Sequence, residues 1–306
     1  MVTAPILIVQ HANDCPPAWF GTWLTDAGAR LDVRHPYAGQ PLPLDLTAHS
    51  GLLVLGGPMG ANDDDEFPWL APTKALVRAG ASHGIPVLGI CLGHQLAAVA
   101  LGGVVAVNPG GQQAGLLDVG WERGAAADPL MAGCGSHAVQ WNNDVVTGLP
   151  PGSTVLARAG GGELQAARLA PSVWGVQWHP EAGVDVITPW AEEDRAAMQA
   201  RGLDVDRRLR EVGDATDRLR ADWRPLATNF AAVTRHPPDG RRRTILSLDD
   251  DLVLEAQRLT GTREKSALVR QALPALIERE TARRLAQLAG NEPGVRASPR
   301  QRPPPA

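Results

Sequence analysis

The chain has 306 residues, 44% of them hydrophobic, and a formal net charge of -4, which suits one or two domains with buried cores. No run approaches the roughly 18 apolar residues of a membrane span, the opening MVTAPILIVQHAND lacks the pattern of a secretory leader, and Cys15, Cys91 and Cys134 do not make a disulfide framework, so a cytoplasmic protein is expected. The charge is uneven: Arg241 to Ala306 carries 13 Lys and Arg against 8 Asp and Glu, while the rest carries 16 against 25. An acidic body with a basic tail implies a second module whose partner is an anion or an acidic protein.

In chain order, Ile6 to Val9 reads as a buried strand, Ala18 to Ala29 as a helix and Leu31 to Val33 as a second strand. Gly51 to Leu55 is a third strand, leading into Gly56-Gly57-Pro58-Met59-Gly60. A helix over Pro72 to Gly84 precedes a fourth strand, Val87 to Ile90. This alternation predicts an α/β domain with a mostly parallel sheet covered on both faces. From Gly102 the pattern becomes short strands: Val104–Val107, Gly115–Val119, Val155–Ala157, Leu164–Ala167 and Val173–Trp178. Residues 184–233 read as mostly helical, with the domain closing near Ala232. The expected organisation is a first domain over 1–235, a Pro- and Gly-containing linker over 236–242, a small domain over 243–290 and a disordered tail over 291–306. In the small domain, Arg243–Leu248 is expected as a strand, with helices over Asp249–Thr260 and Lys265–Leu288. Gly261 lies between the helices, Ser266 is a cap candidate, and Pro274 is expected to kink or interrupt the second helix.

The chemistry concentrates on Pro86 to Ala97, PVLGICLGHQLA. A strand, then Cys91, then a helix is the layout of a nucleophile elbow, written here Gly89-Ile90-Cys91-Leu92-Gly93. The two glycines suit a sharp turn, and a thiol at a helix start feels a field that favours the thiolate. The alternative is a buried structural cysteine. His179, in WGVQWHPE at a strand end, is the candidate base, and Glu181 two residues later can orient its imidazole. A metal site at His-Pro-Glu is the other reading, but no further ligand cluster completes it, so neither metal nor cofactor is expected. The backbone N–H groups of Gly57 and Leu92 are the oxyanion candidates, although a GGP loop alone is more often a simple turn.

GGPMG, GICLGHQLA and WGVQWHPE, in this order and spacing, resemble the three signatures of class I glutamine amidotransferases, in particular stand-alone proteins similar to the glutaminase part of GMP synthase. The resemblance covers about residues 4–233. It implies a flavodoxin-like fold and hydrolysis of the glutamine side-chain amide through a γ-glutamyl thioester, releasing ammonia. It assigns attack to Cys91, proton transfer to His179, orientation of His179 to Glu181 and oxyanion binding to Gly57 and Leu92. Gln95 matches the position that contacts bound glutamine; a plain helix-surface amide is the alternative. Many relatives carry histidine where this chain has Asn142. No phosphate loop or ATP-pyrophosphatase signature is present, so an ammonia-accepting synthetase would sit on another chain, or the enzyme is a γ-glutamyl hydrolase without ammonia transfer. The run Asn62 to Glu66 either selects substrate or is a solvated loop.

The segment from Arg241 onward, RTILSLDDDLVLEAQRLTGTREKSALVRQAL and the RRLAQLAG that follows, resembles VapB-type antitoxins of the ribbon-helix-helix class. The resemblance implies a homodimer whose paired strands enter operator DNA through Arg243, Ile245 and Ser247. It also implies a tail from about Ala282 that folds on a PIN-domain ribonuclease toxin. A dimerisation appendage that binds no DNA is the alternative for this module. For the whole chain, the alternatives are a transcriptional autoregulator with a vestigial first domain and a chance fusion of unrelated modules.

Overall fold

The computed structural model describes residues 4–236 and 248–289, and the chain divides into two compact units, Met1–Arg242 and Arg243–Ala306. In the first unit, β1 (Ile6–Val9), α1 (Ala18–Asp26), β2 (Leu31–Arg34), β3 (Gly51–Val54), α2 (Leu70–His83), β4 (Val87–Ile90) and α3 (Leu92–Ala100) alternate as expected. Two helices end a little earlier than their apolar spacing suggested. Gly28 (φ +83°) follows α1 and Gly84 (φ +66°) caps α2, and a left-handed residue stops an α-helix.

Next come two antiparallel ribbons: β5 (Val104–Val107) pairs with β8 (Asp144–Gly148), and β6 (Gln113–Asp118) with β7 (His137–Asn142). Then β9 (Thr154–Arg158), β10 (Leu164–Ala170) and β11 (Val173–Val176) return to the main sheet. Its order is β2-β1-β3-β4-β11-β10-β9. The first five strands run parallel, while β10 and β9 are antiparallel additions. β11 ends at Val176, two residues short of the expected Trp178. The chain leaves the sheet there, which frees residues 177–181 to turn across its edge.

Strands covered on both faces should send alternate side chains into two separate cores. They do: Ile6, Ile8, Leu53, Leu88, Ile90, Trp174 and Val176 enter one cluster, and Leu7, Val9, Leu52, Val54, Val87 and Val173 enter the other. The expected helical stretch divides into α4 (Val184–Ala200), α5 (Val205–Asp214) and α6 (Thr216–Arg235). Gly202 (φ +75°) ends the first of these, and Asp204 caps the second by accepting from the Arg207 N–H. α6 packs beside α1 and continues past Ala232 to Arg235.

In the second unit, α7 (Asp250–Thr260) is capped by Asp249, whose carboxylate accepts from the N–H groups of Asp251 and Leu252. It ends at left-handed Gly261. α8 (Lys265–Ala289) begins before Ser266, which therefore lies inside its first turn and not at the cap. The helix also continues across Pro274, against the interruption expected there. A proline removes one ladder bond, and the remaining turns on either side carry the helix through. The strand expected at Arg243–Leu248 lies outside the described residues except for Leu248, which is irregular. The same holds for most of the linker and all of the tail. Among the described residues no helix is long and apolar enough to cross a membrane.

Two fully buried histidines give the first unit an acid sensitivity. His94 on α3 has no hydrogen-bond partner at either ring nitrogen, and burial lowers its pKa from 6.5 to about 3. Burial lowers His11 to about 3 as well, and its Nδ1 already accepts from the Trp69 indole N–H at 3.1 Å. Both stay neutral when folded and take up protons near pH 6.5 when unfolded. The stability they support is thus complete above pH 6.5 and is lost as pH falls toward about 3. Each contributes about 1.4 kcal/mol per pH unit in that window. Urea unfolding at pH 7 and pH 5 should therefore differ by several kcal/mol, with a shallower slope in His94→Gln; a flat profile would contradict buried neutral histidines.

Candidate active site

Cys91 closes β4 and starts α3, with φ +50° and ψ -109°. That conformation is costly for a residue with a side chain, and strain of this kind persists only where the surroundings enforce it. Here the enforcement is visible. The Cys91 N–H donates to the Val176 carbonyl at 2.9 Å, and its own carbonyl accepts from Gln95 N–H at 3.1 Å. Glycine permits the helix to fold so tightly over the sheet: a Cβ on Gly89 would collide with the Gly93 carbonyl, and one on Gly93 with the Val54 carbonyl. The Leu92 N–H opens α3 and so belongs to the donors that a helix start leaves without a partner inside the helix.

The sheet order brings the second motif alongside. β11 lies next to β4, with Val176 opposite Ile90, so the chain leaving β11 passes the thiol. The Gln177 side chain approaches Cys91 Sγ at 3.6 Å. The His179 N–H bonds the Val139 carbonyl on β7 at 2.7 Å, which anchors the turn to a ribbon strand that was not expected from the sequence. Nδ1 of His179 lies 2.7 Å from Glu181 Oε1, with both side chains 3% exposed, while Nε2 has no partner. Burial alone would lower the His179 pKa, but the charges of Glu181 and Cys91 outweigh it and raise the imidazole well above its ordinary range. The third motif closes the arrangement: a Cβ on Gly56 would sit 3.0 Å from His179 Cε1 and 3.6 Å from Cys91 Cβ. Gly57, Cys91, Gln95 and His179 line one cavity of about 340 Å³.

Gln95 is not a surface amide. It is 4% exposed, and its Nε2 donates to the Asp144 carbonyl at 2.9 Å and to Gln177 Oε1 at 3.3 Å. Asn142 also lines the cavity; its Nδ2 donates to Gln113 Oε1 and the Asp144 carbonyl, which leaves Oδ1 without a donor. Trp190 packs its ring 4.7 Å from that of His179, and Asp194 accepts from the Gln112 amide and Trp141 indole. Sequence reasoning missed Gln177, Trp190 and Asp194, because their roles depend on how the ribbons and α4 fold against the sheet. Gln177 alone had a signal, since it lies inside the WGVQWHPE motif. The acidic run is a mostly exposed loop, none of which lines the cavity: Asp63 accepts from the Gly60 N–H at 2.7 Å and Asp64 pairs with buried Lys74. Cys15 shares the cavity, but burial and neighbouring negative charge push its thiol pKa up, so it is a poor nucleophile. No group that could hold a metal occurs among the described residues. Arg243, Ile245 and Ser247 lie outside them.

A thiol at a helix start, an imidazole fixed on a carboxylate and a loop touching both are the parts that nucleophilic acyl transfer requires. The family model described as glutamine amidotransferase class-I matches residues 24–188. The chain belongs to this family. A second model, the VapB antitoxin of bacterial type II toxin–antitoxin systems, matches residues 242–288. The glutamine-hydrolyzing GMP synthase subunit from Saccharolobus solfataricus is 40% identical over 161 residues, covering 50% of this chain and 77% of that protein. Antitoxin VapB32 of Mycobacterium tuberculosis is 48% identical over 60 residues, 20% of this chain and 92% of that protein. A glutamine amidotransferase structure from Methylobacillus flagellatus superposes with a TM-score of 0.67 at 26% identity, covering 81% of this chain and 99% of the other. The first unit thus has the flavodoxin-like amidotransferase fold, and the second carries an antitoxin domain.

Proposed function

We propose that this amidotransferase domain hydrolyses the side-chain amide of glutamine through a thioester on Cys91. The observation that carries the reading is a thiol held at φ +50° at the start of α3, in one cavity with a His179 whose Nδ1 is fixed by Glu181. Cys91 attacks the amide carbon, and the N–H groups of Gly57 and Leu92 receive the oxyanion. His179 passes a proton from Nε2 to the departing ammonia, and Glu181 keeps the ring oriented and charged. Water then cleaves the thioester to glutamate. Gln95, locked to Asp144 and Gln177, shapes the side of the cavity that receives the glutamine chain. The relative from Saccharolobus solfataricus is one part of a GMP synthase, which supports an ammonia-accepting synthetase on another chain. The test is glutamate production from L-glutamine by the full-length chain; no production, alone or with a synthetase partner, counts against the reading.

For the second unit we propose a dimeric antitoxin module that binds operator DNA through Arg243, Ile245 and Ser247 and a PIN-domain toxin through its C-terminal stretch. Support comes from the VapB match and from α7 and α8, which leave Leu252, Leu254, Leu259, Leu273 and Ile277 exposed, more apolar surface than a solitary small unit should show. Gel shifts with the DNA upstream of the gene should show salt-sensitive binding by the full chain and none by residues 1–235. Equal shifts by both would contradict the assignment.

A further inference from the structure

Gln177 meets the nucleophile from inside the protein. It follows β11, is wholly buried and does not line the cavity, whereas Cys91 and Gln95 do. Its backbone N–H donates to the Gln165 carbonyl at 2.7 Å, which ties the residue to β10. Its side-chain amide ends 3.6 Å from Cys91 Sγ. Burying a carboxamide is costly unless its donors and acceptor are used, so each contact of this one counts.

Which end of the carboxamide faces the sulfur follows from a chain of bonds. The Asp144 carbonyl can only accept, so the Gln95 atom 2.9 Å from it is the nitrogen. That nitrogen also lies 3.3 Å from the Gln177 amide, and the atom it meets must accept, so it is Oε1. The remaining end, against Cys91, is then Nε2, a donor.

Cys91 Sγ thus has one neighbour suited to each of its forms. The Trp141 carbonyl, 3.9 Å away, can only accept and suits a neutral S–H. The Gln177 N–H can only donate and suits a thiolate. A neutral thiol is a weak acceptor, while a hydrogen bond to an ionised partner is roughly twice as strong as a neutral one. The Gln177 contact therefore gains most when the sulfur is charged.

We infer that Gln177 is a catalytic residue of the Cys91 reaction, its N–H stabilising the thiolate from the buried side in an orientation set by Gln95. The inference rests on the proposed role of Cys91 as nucleophile. The donor acts at both ends of the reaction. Before attack it raises the thiolate population, and the accompanying loss of nucleophilicity offsets only about half of that gain. When water cleaves the thioester, the water oxygen bonds to the acyl carbon and His179 takes the proton. The carbon–sulfur bond breaks, and its electron pair returns to Sγ, where the N–H stabilises it. Because Gln177 stays outside the cavity, none of this changes how the substrate is held.

The test is Gln177→Met in the full-length protein, which keeps the length of the side chain and removes the donor. Iodoacetamide labels the thiolate, and peptide mass spectrometry separates Cys91 from Cys15 and Cys134. At pH 7 labelling of Cys91 should slow at least fivefold. At about pH 9.5, above the ordinary thiol range, the variant should approach the wild-type rate, since ionisation no longer needs the donor. Glutamine hydrolysis at pH 7 should lose at least tenfold in kcat, with KM changed less than threefold. Labelling slowed equally at both pH values would assign Gln177 to packing alone and overturn the inference. Unchanged labelling at pH 7 would overturn it too, and neither result touches Cys91-dependent hydrolysis by the wild type. Slowing at pH 7 alone, without Cys91-dependent hydrolysis in the wild type, would support the donor and count against the proposed reaction. Should Gln177→Met fail to fold, Gln95→Met decides in the same assay. Freeing the Gln177 amide to turn should slow labelling at pH 7 at least twofold, and a wild-type rate would sink the inference.

Discussion

Replacing Cys91 by Ala should reduce glutamate release from glutamine by about 10,000-fold or more while leaving the fold intact. Removing the nucleophile of a triad leaves only binding and the oxyanion donors, roughly 1,000- to 10,000-fold over water, and forfeits the larger part that needs the covalent intermediate. Glu181→Gln should cost less, roughly 100- to 10,000-fold, because it keeps the ring in place but withdraws the charge that raises the His179 pKa. The graded order separates a nucleophile from an orienting group; equal small effects would contradict both roles. The same site permits a measurement of its strain. Elsewhere glycine is usually less stable than alanine, but at φ +50° and ψ -109° the order should reverse. Cys91→Gly should be more stable than Cys91→Ala by about 1 kcal/mol or more in urea unfolding. If the two are equally stable, the backbone there is not held under strain.

The second large effect falls on a residue that performs no chemistry. Gly93→Ala would place a Cβ against the Val54 carbonyl, 2.7 Å from its carbon, and neither a strand backbone nor a helix backbone can yield cheaply there. Relief requires lifting α3 off β3 and β4, which opens a fully buried seam that includes Val54, Leu92 and Leu96. Overpacking of backbone against backbone should cost about 3 kcal/mol or more and lower Tm by roughly 10 °C in a domain of this size. Activity should fall further than stability, because the Leu92 N–H and Cys91 move with the helix. Gly213→Ala is the control: on α5 its Cβ would meet nothing closer than 4.0 Å, so stability should hold or rise slightly. Equal effects of the two substitutions would mean that α3 does not depend on its close approach.

Local residue chemistry made much of this protein legible in advance. Fully apolar runs such as Ile6–Val9 and Val87–Ile90 can hardly be anything but strands buried on both faces, and their alternation with helices dictates a parallel sheet. Glycines two residues either side of Cys91 announce a tight turn because only a missing Cβ allows it. Glu181 lies so near His179 in the chain that their bond needs little else, and Asp249 caps α7 for equally local reasons.

The tertiary structure decided what depends on distant segments. β7 and β8 exist because β6 and β5 pair with them; their apolar residues are too few and too mixed to declare strands alone. β11 inserts between β4 and β10, and that choice of neighbour, a matter of long-range pairing, sets His179 beside Cys91. The burial that pushes the pKa values of His94 and His11 down, and the approach of Cys91 that helps Glu181 push that of His179 up, come from packing of distant segments. The residues lining the cavity beside the thiol are likewise scattered over a loop, a ribbon and α4, and only the tertiary fold brings Asp14, Asp144 and Asp194 around Cys91.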